Sequence, residues 1–281
     1  MDKDIKSPRC CALGLFCLIL SLVPPLAASR SLDEAQVTAI IGDGALVQAG
    51  ENMRPISPNE RLRAGIRIST LADTRAELTF DNQFIARLNA GAAINFDKRN
   101  LLELIHGAVL VEIPRGTRAK IKVGEVAASI SGGTAVLEYQ PPAFKCLVLE
   151  GTARLYRPWH LGDSILVGAG RMTFGDARAA LTDPVDFDID RFVKTCPLIE
   201  AFAPLGNEKL MAIESQKQQL AKSKKRLTDT NLVIFGGGST VSAVDPTGAL
   251  SSGNQAADSE RGIPSSGRNS PSTQKLAEAQ R

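Results

Sequence analysis

Between Val37 and about Thr182 the chain alternates apolar and polar residues in short runs, with almost no helical period. In Thr74–Phe80, Ala76, Leu78 and Phe80 share one side while Arg75, Glu77 and Thr79 share the other. Asp81-Asn82-Gln83 reads as a turn, and Phe84–Leu88 resumes the alternation. Arg118–Val123 is cleaner still, with Ala119, Ile121 and Val123 facing inward and Arg118, Lys120 and Lys122 outward. Period-two patterning of this kind belongs to strands with one buried face. Glycines recur between the runs, among them Gly107, Gly116, Gly124, Gly132, Gly133 and Gly151. Glycine supplies the positive φ of tight turns, so these positions are expected to reverse the chain. Turn signals about every 8–12 residues predict an all-β sandwich, roll or solenoid.

The regime changes near Asp183. Asp186, Asp188 and Asp190 precede Phe192–Phe202, where acidic residues suit the positive N-terminal end of a short helix. A second helix is predicted from Asn207 to about Leu227, with a thin apolar seam at Ile213, Leu220 and Leu227. It carries Lys209, Lys217, Lys222, Lys224, Lys225 and Arg226 against Glu208 and Glu214. From Gly236 onward the composition is rich in Gly, Ser, Pro and small polar residues. Such a segment buries too little apolar surface to offset its ordering entropy. The organisation expected is therefore a β domain over 37–182, a helical extension over 183–228 and a flexible low-complexity tail over 229–281.

At the N-terminus, Lys3, Lys6 and Arg9 precede an apolar run from Cys10 to Leu22, followed by Pro24-Pro25 and then Leu26-Ala27-Ala28-Ser29. A basic head, a short apolar stretch, a helix-breaking proline pair and a small-residue exit describe a cleavable secretory signal over residues 1–29. The predicted location is the periplasm or the extracellular space, with a retained single-span anchor as the alternative. A lipoprotein is disfavoured by the bulky Leu15 and Phe16 before Cys17. Loss of the signal would leave Cys146 and Cys196, whose pairing in an oxidising compartment the sequence leaves open.

Composition narrows the function classes. The 281 residues are 43% hydrophobic and 22% charged, with 33 Lys and Arg against 30 Asp and Glu. A net charge of +3 gives no chain-wide basic field, so no nucleic-acid partner is expected. His106 and His160 are the two histidines, and neither has a Cys or carboxylate cluster nearby in sequence, so no metal site is assigned. Asp186-x-Asp188-x-Asp190 resembles the start of a Ca²⁺ loop, but Arg191 replaces the required Gly and Pro197 the closing Glu; helix capping is the reading taken. Gly236-Gly237-Gly238-Ser239-Thr240 lacks the Lys of a phosphate loop. No catalytic residue and no cofactor site is assigned. Basic helix 207–228 is a candidate membrane contact, and exposed strand edges are candidates for partner binding or self-association.

Several β segments resemble, in order, the FecR domain family of periplasmic modules named after an iron-uptake signalling regulator. Glu60–Phe96 resembles the family's step-up, alternating strand, Asp-initiated turn and second strand. Leu101–Ile113 looks like its strand-Gly-strand hairpin, Val123–Tyr139 its stretch with Gly-Thr, Cys146–Tyr156 its Glu-Gly hairpin, and Ile165–Phe174 its closing strand. The resemblance implies an elongated, twisted β-roll or solenoid-like fold rather than a catalytic scaffold. Asp81-Asn82 stands where Asp-Gly is common, and Glu138 where an apolar residue is usual, which predicts a bulge or an edge at that point. Only nine residues precede the apolar run, too few for the family's cytoplasmic sigma-factor-binding domain. The function expected is an exported, non-enzymatic binding or structural module that meets an envelope protein or polymer. The alternative is a periplasmic signalling accessory related to FecR-type anti-sigma regulators of iron uptake.

Overall fold

The computed structural model describes residues 33–224 apart from 82 and 98–100, together with the backbone of three short strands farther on. The first half of the domain is built from eight short strands. These are β1 (Glu34–Ile41), β2 (Ala45–Ala49), β3 (Asn52–Pro55), β4 (Arg61–Arg63), β5 (Ile66–Thr70), β6 (Arg75–Phe80), β7 (Ile85–Leu88) and β8 (Ala93–Asp97). Three long strands follow: β9 (Leu101–Val123), β10 (Val126–Gln140) and β11 (Ala143–Tyr156). Then come β12 (Ser164–Gly168), β13 (Arg171–Asp176) and the two-residue β14 (Val185–Asp186). All fourteen join one antiparallel sheet that stays open. The all-β fold expected from the alternation is present.

β9 is the trunk. Leu101–His106 pair with β8 and Val109–Glu112 with β7, so two arms leave one side of it, β7–β6–β1–β4 and β8–β5–β2–β3. Its other side pairs with β10 and then β11. β13 lies along the start of β11 and β12 along its end.

Glycines expected to reverse the chain at 107, 116, 132, 133 and 151 instead lie inside these long strands, so the predicted Leu101–Ile113 and Glu150-Gly151 hairpins are corrected to continuous bent strands. The physical reason is that positive φ serves a bulge as well as a turn. Gly133 has φ 126° and Gly151 has φ 83°, and the β10–β11 register shifts beside them. There the two backbones cross so closely that a Cβ on Gly133 would collide with the Glu150 carbonyl, and one on Gly151 with the Gly132 carbonyl. The bends fold the ribbon over, bringing Gly124 at the far end of β9 against Tyr139 and Ala177.

Folding over creates a dry interior from the inward rows of both halves. Val109, Val111 and Ile113 share it with Ala119, Ile121 and Val123. Phe80 stacks on Phe84 at 4.8 Å and meets Phe96 edge-on at 5.0 Å. A second apolar cluster lies outside, where Ala108, Leu110, Val136, Leu147 and Leu149 are covered by the chain after β14. That extension comprises α1 (Ile189–Val193), α2 (Pro197–Glu200) and α3 (Glu208–Ser223). Asp188 caps α1 by accepting from the Arg191 N–H at 3.0 Å, as the capping reading of the Asp triplet expects. α3 does not pack through its seam: Ile213 and Leu220 are exposed, and Met211 is the buried contact. Gln218 donates to the Phe187 carbonyl at 2.5 Å and accepts from the Ile189 N–H at 3.1 Å, fixing α3 on α1.

The signal segment expected over 1–29 lies outside the described residues. So does most of the tail, 229–281; its described portions are Leu232–Ile234, Val241–Val244 and Leu250–Ser251, which pair as a small antiparallel sheet.

Candidate functional site

The outer face of β9, β10 and β11 divides into two halves with different chemistry. In the half under the extension, ionisable side chains fasten one part of the chain to another. Arg87 is 1% exposed and satisfied in every direction. Its Nε donates to Glu77 Oε2 at 2.7 Å, Nη1 to the Leu198 carbonyl at 3.0 Å and Nη2 to the Ala203 carbonyl at 2.6 Å. Its guanidinium also lies 4.9 Å from the centre of the Phe202 ring. The planar fork of arginine suits such divergent acceptors in a way a lysine cannot match. Glu112 accepts from the Gly206 N–H at 3.2 Å, just before the N-terminus of α3. Burial raises its pKa above 4.5, opposed by backbone bonds from Gly206 and Asn207 and by Arg87, and reinforced by the charge of Glu150.

Glu138 is neither at an edge nor at a bulge, which corrects the expectation for that position. It lies in central strand β10 directly opposite Lys145 of β11, whose Nζ donates to it at 3.0 Å. Partnering a buried carboxylate across the ladder removes any need to break the ladder. Glu150 accepts from Arg115 at 3.2 Å through Oε1, while Oε2 is buried with no hydrogen-bond partner.

The distal half of the same face lies outside the apolar cluster that the extension covers, and among the described residues most of its side chains reach solvent. Arg118, Lys120 and Lys122 of β9 lie beside Ala127, Ser129 and Ser131 of β10, which neighbour Thr152, Arg154 and Tyr156 of β11. Ser164, Leu166 and Gly168 of β12 complete it, and no outward position of the patch holds a carboxylate. Lys122 reaches sideways to Glu103 at 2.7 Å. Among the described residues Arg118 and Arg154 donate to hydroxyls, Ser131 at 2.9 Å and Ser164 at 3.4 Å, and not to a carboxylate. Beyond Tyr156 the β11–β12 loop presents Trp159 at 93% exposure and Leu161 at 104%. The loop is braced by an Arg157–Asp163 ion pair, by Arg157 Nη1 donating to the Arg178 carbonyl at 2.7 Å, and by the Leu181 N–H donating to Asp163 at 3.3 Å.

Other residues singled out from the sequence are scattered. The His106 ring lies 3.0 Å from the Gly91 carbonyl, while His160 sits in the exposed loop between Trp159 and Leu161. Among the described residues no three His, Cys, Asp or Glu side chains gather in metal-binding fashion. Cys146 lies in the inner core and Cys196 in the outer cluster, both as free thiols. Burial pushes the Cys146 thiol up to about 12 and the Cys196 thiol to about 11. An open groove of about 380 Å³ near Gly65 and Arg67 is already cross-linked, since Arg67 donates to Asn95 at 3.0 Å and Asn95 to Glu103 at 3.0 Å. No motif in the sequence marks out Arg87, Glu112 or Glu150. The Glu77–Arg87 pairing was latent in the β6–β7 hairpin register, but their cover comes from residues about a hundred positions later.

Among known proteins, no curated relative matches the chain. Two crystal structures of a candidate anti-sigma factor from Parabacteroides distasonis ATCC 8503 are similar to it at 14% and 15% identity, with TM-scores of 0.37 and 0.38. Each comparison covers 43% of this chain, and the chain spans 59% of the length of that protein. The family model described as FecR protein matches residues 66–154, from the first residue of β5 to Arg154 in β11. The strands that resemble the family in sequence are those that build the trunk and both of its flanks, and residues 66–154 match the FecR domain model.

Proposed function

We propose that this protein is an exported, non-enzymatic FecR-domain module of the bacterial envelope that works by binding. The observation that carries the reading is the division of the outer face. The buried groups Arg87 and Glu112 bond to the extension and Glu138 pairs with Lys145 across the ladder, while the opposite half displays cations and large apolar side chains to solvent. Satisfied buried networks rigidify a body, whereas exposed apolar and charged patches are where partners attach. The Lys3-to-Ser29 segment supports export. N-terminal sequencing of the protein from fractionated cells tests this reading: a mature chain starting near Arg30 in the exported fraction is expected. Full-length chain confined to the cytosol would overturn it.

A second reading, a periplasmic accessory related to FecR-type anti-sigma regulators, is favoured by the match over residues 66–154. It predicts that the protein is recovered in the membrane fraction with a membrane partner.

A further inference from the structure

We propose that the Trp159–Leu161 tip and the cationic distal face dock this protein onto an anionic lipid surface. The inference rests on the reading of the chain as an exported binding module and names the partner. Trp159 and Leu161 flank His160 at the end of a loop and are essentially fully exposed, which is costly in water for side chains of this size. A protruding tip contributes little to a protein interface unless the partner supplies a matching pocket. A fluid bilayer interface receives it directly, and tryptophan favours the headgroup level of such interfaces. The loop is ordered beforehand by the Arg157–Asp163 pair and by the His160 N–H to Arg157 carbonyl and Asp163 N–H to His160 carbonyl bonds, at 3.1 and 3.2 Å. Insertion therefore forfeits little conformational entropy.

Charge selects the kind of surface. Arg118, Lys120 and Arg154 stand on the sheet that leads to the tip, with no carboxylate at any outward position among them. Helix α3, the other basic element, is compensated in part: Lys217 pairs with Glu214 at 2.7 Å and Lys222 with Asp188 at 3.0 Å, while Lys209 and Lys224 are exposed. The distal face differs in setting its cations beside a protruding apolar tip, the combination an anionic bilayer interface accommodates. Each cation near such a surface contributes about fivefold in affinity, so Arg118→Gln, Lys120→Gln and Arg154→Gln together should weaken binding about a hundredfold.

Trp159 is the sole tryptophan of the chain, so its emission reports on the tip alone. Protein purified from the exported fraction is titrated with vesicles of 30% phosphatidylglycerol in phosphatidylcholine at low salt, and with vesicles of phosphatidylcholine only. The expected result is a blue shift with the anionic vesicles, quenching by brominated acyl chains, and release by added salt. The triple Gln variant, whose substitutions are all exposed, should keep the wild-type melting temperature while losing the shift. Trp159→Ala with Leu161→Ala should fail to co-sediment. Absence of a shift in the folded wild-type protein overturns the proposal. So does undiminished binding by the triple variant, or a shift produced by polyglutamate and not by vesicles, which would assign the face to an acidic protein. None of these outcomes bears on export, which the mature N-terminus reports separately.

Discussion

Replacing Arg87 by Met keeps most of the apolar stem and removes the guanidinium. The loss comprises the Glu77 ion pair, two carbonyl bonds into the extension and the approach to Phe202. What remains behind matters more than what is lost. Glu77 is left with the Thr38 hydroxyl at 2.7 Å, and the Leu198 and Ala203 carbonyls lose their donor. Removing one member of a buried pair costs about 3–5 kcal/mol. Hydrogen bonds to a charged group contribute about 1.5–3 kcal/mol each, so three of them would reach about 4.5–9 kcal/mol if they were additive, above that figure over most of the range. The discrepancy has a physical limit: when the penalty surpasses the docking free energy of residues 187–224, that segment lifts off and its polar groups return to water. Arg87→Met is therefore expected to uncover the outer cluster before the inner core yields. Two measurements read this. Global melting should fall by roughly 6–20 °C, at about 2–4 °C per kcal/mol for a body of this size. Peptide-resolved thiol labelling in native buffer should become fast at Cys196, which lies in the outer cluster, and stay slow at Cys146 in the inner one. Stability within about 1 kcal/mol of wild type, with Cys196 still protected, would refute the clamp.

Three further outcomes follow from the same geometry. Ile121 is fully buried in the inner row, so Ile121→Asp places an unpaired charge there at a cost of several kcal/mol and should abolish cooperative melting; an unchanged transition would contradict the inward assignment. Gly151→Ala combines a positive φ with a collision at the Gly132 carbonyl and should cost about 1–3 kcal/mol or more, while Gly168→Ala, with open space around it, should be near neutral; equal effects in urea unfolding would remove the bend argument. The raised pKa of Glu112 means the native state holds that proton more tightly than the unfolded chain. Its contribution is thus present below the ordinary value of 4.5 and is lost as pH rises through the elevated native value. Glu112→Gln should therefore lose stability less steeply than wild type as pH rises above 4.5, and parallel urea-derived stabilities across that range would count against the assignment.

The fold was largely legible because alternation records one-sided burial directly. Arg118–Val123 and Arg75–Phe80 occupy the faces their periodicity predicts. Gly107, Gly116 and Gly151 were misplaced because positive φ is common to a reversal and a bend, and local sequence does not say whether the ladder continues past the glycine. The α3 seam failed for a related reason: a sevenfold spacing at Ile213 and Leu220 presumes a partner groove, whereas the helix is held by buried Met211, the Gln218 amide and the Lys222–Asp188 pair. Arg87 was out of reach because what covers it is over a hundred residues away.

The two halves of the outer face do, however, carry a local signature. Along β9, Ala108-Val109-Leu110-Val111 is apolar without alternation, whereas Arg118 to Val123 alternates strictly. Along β11, Cys146 to Leu149 is continuous, whereas Thr152 to Tyr156 alternates. Continuous runs belong to strands covered on both faces and alternating ones to strands covered on one. β9 and β11 therefore each change from two-sided to one-sided burial at the bend. The extension sits over the continuous runs and stops short of the alternating ones. Cover and exposed face are both written into these two strands, which makes the exposed cations of the distal half a property of the sheet itself rather than of whatever follows it.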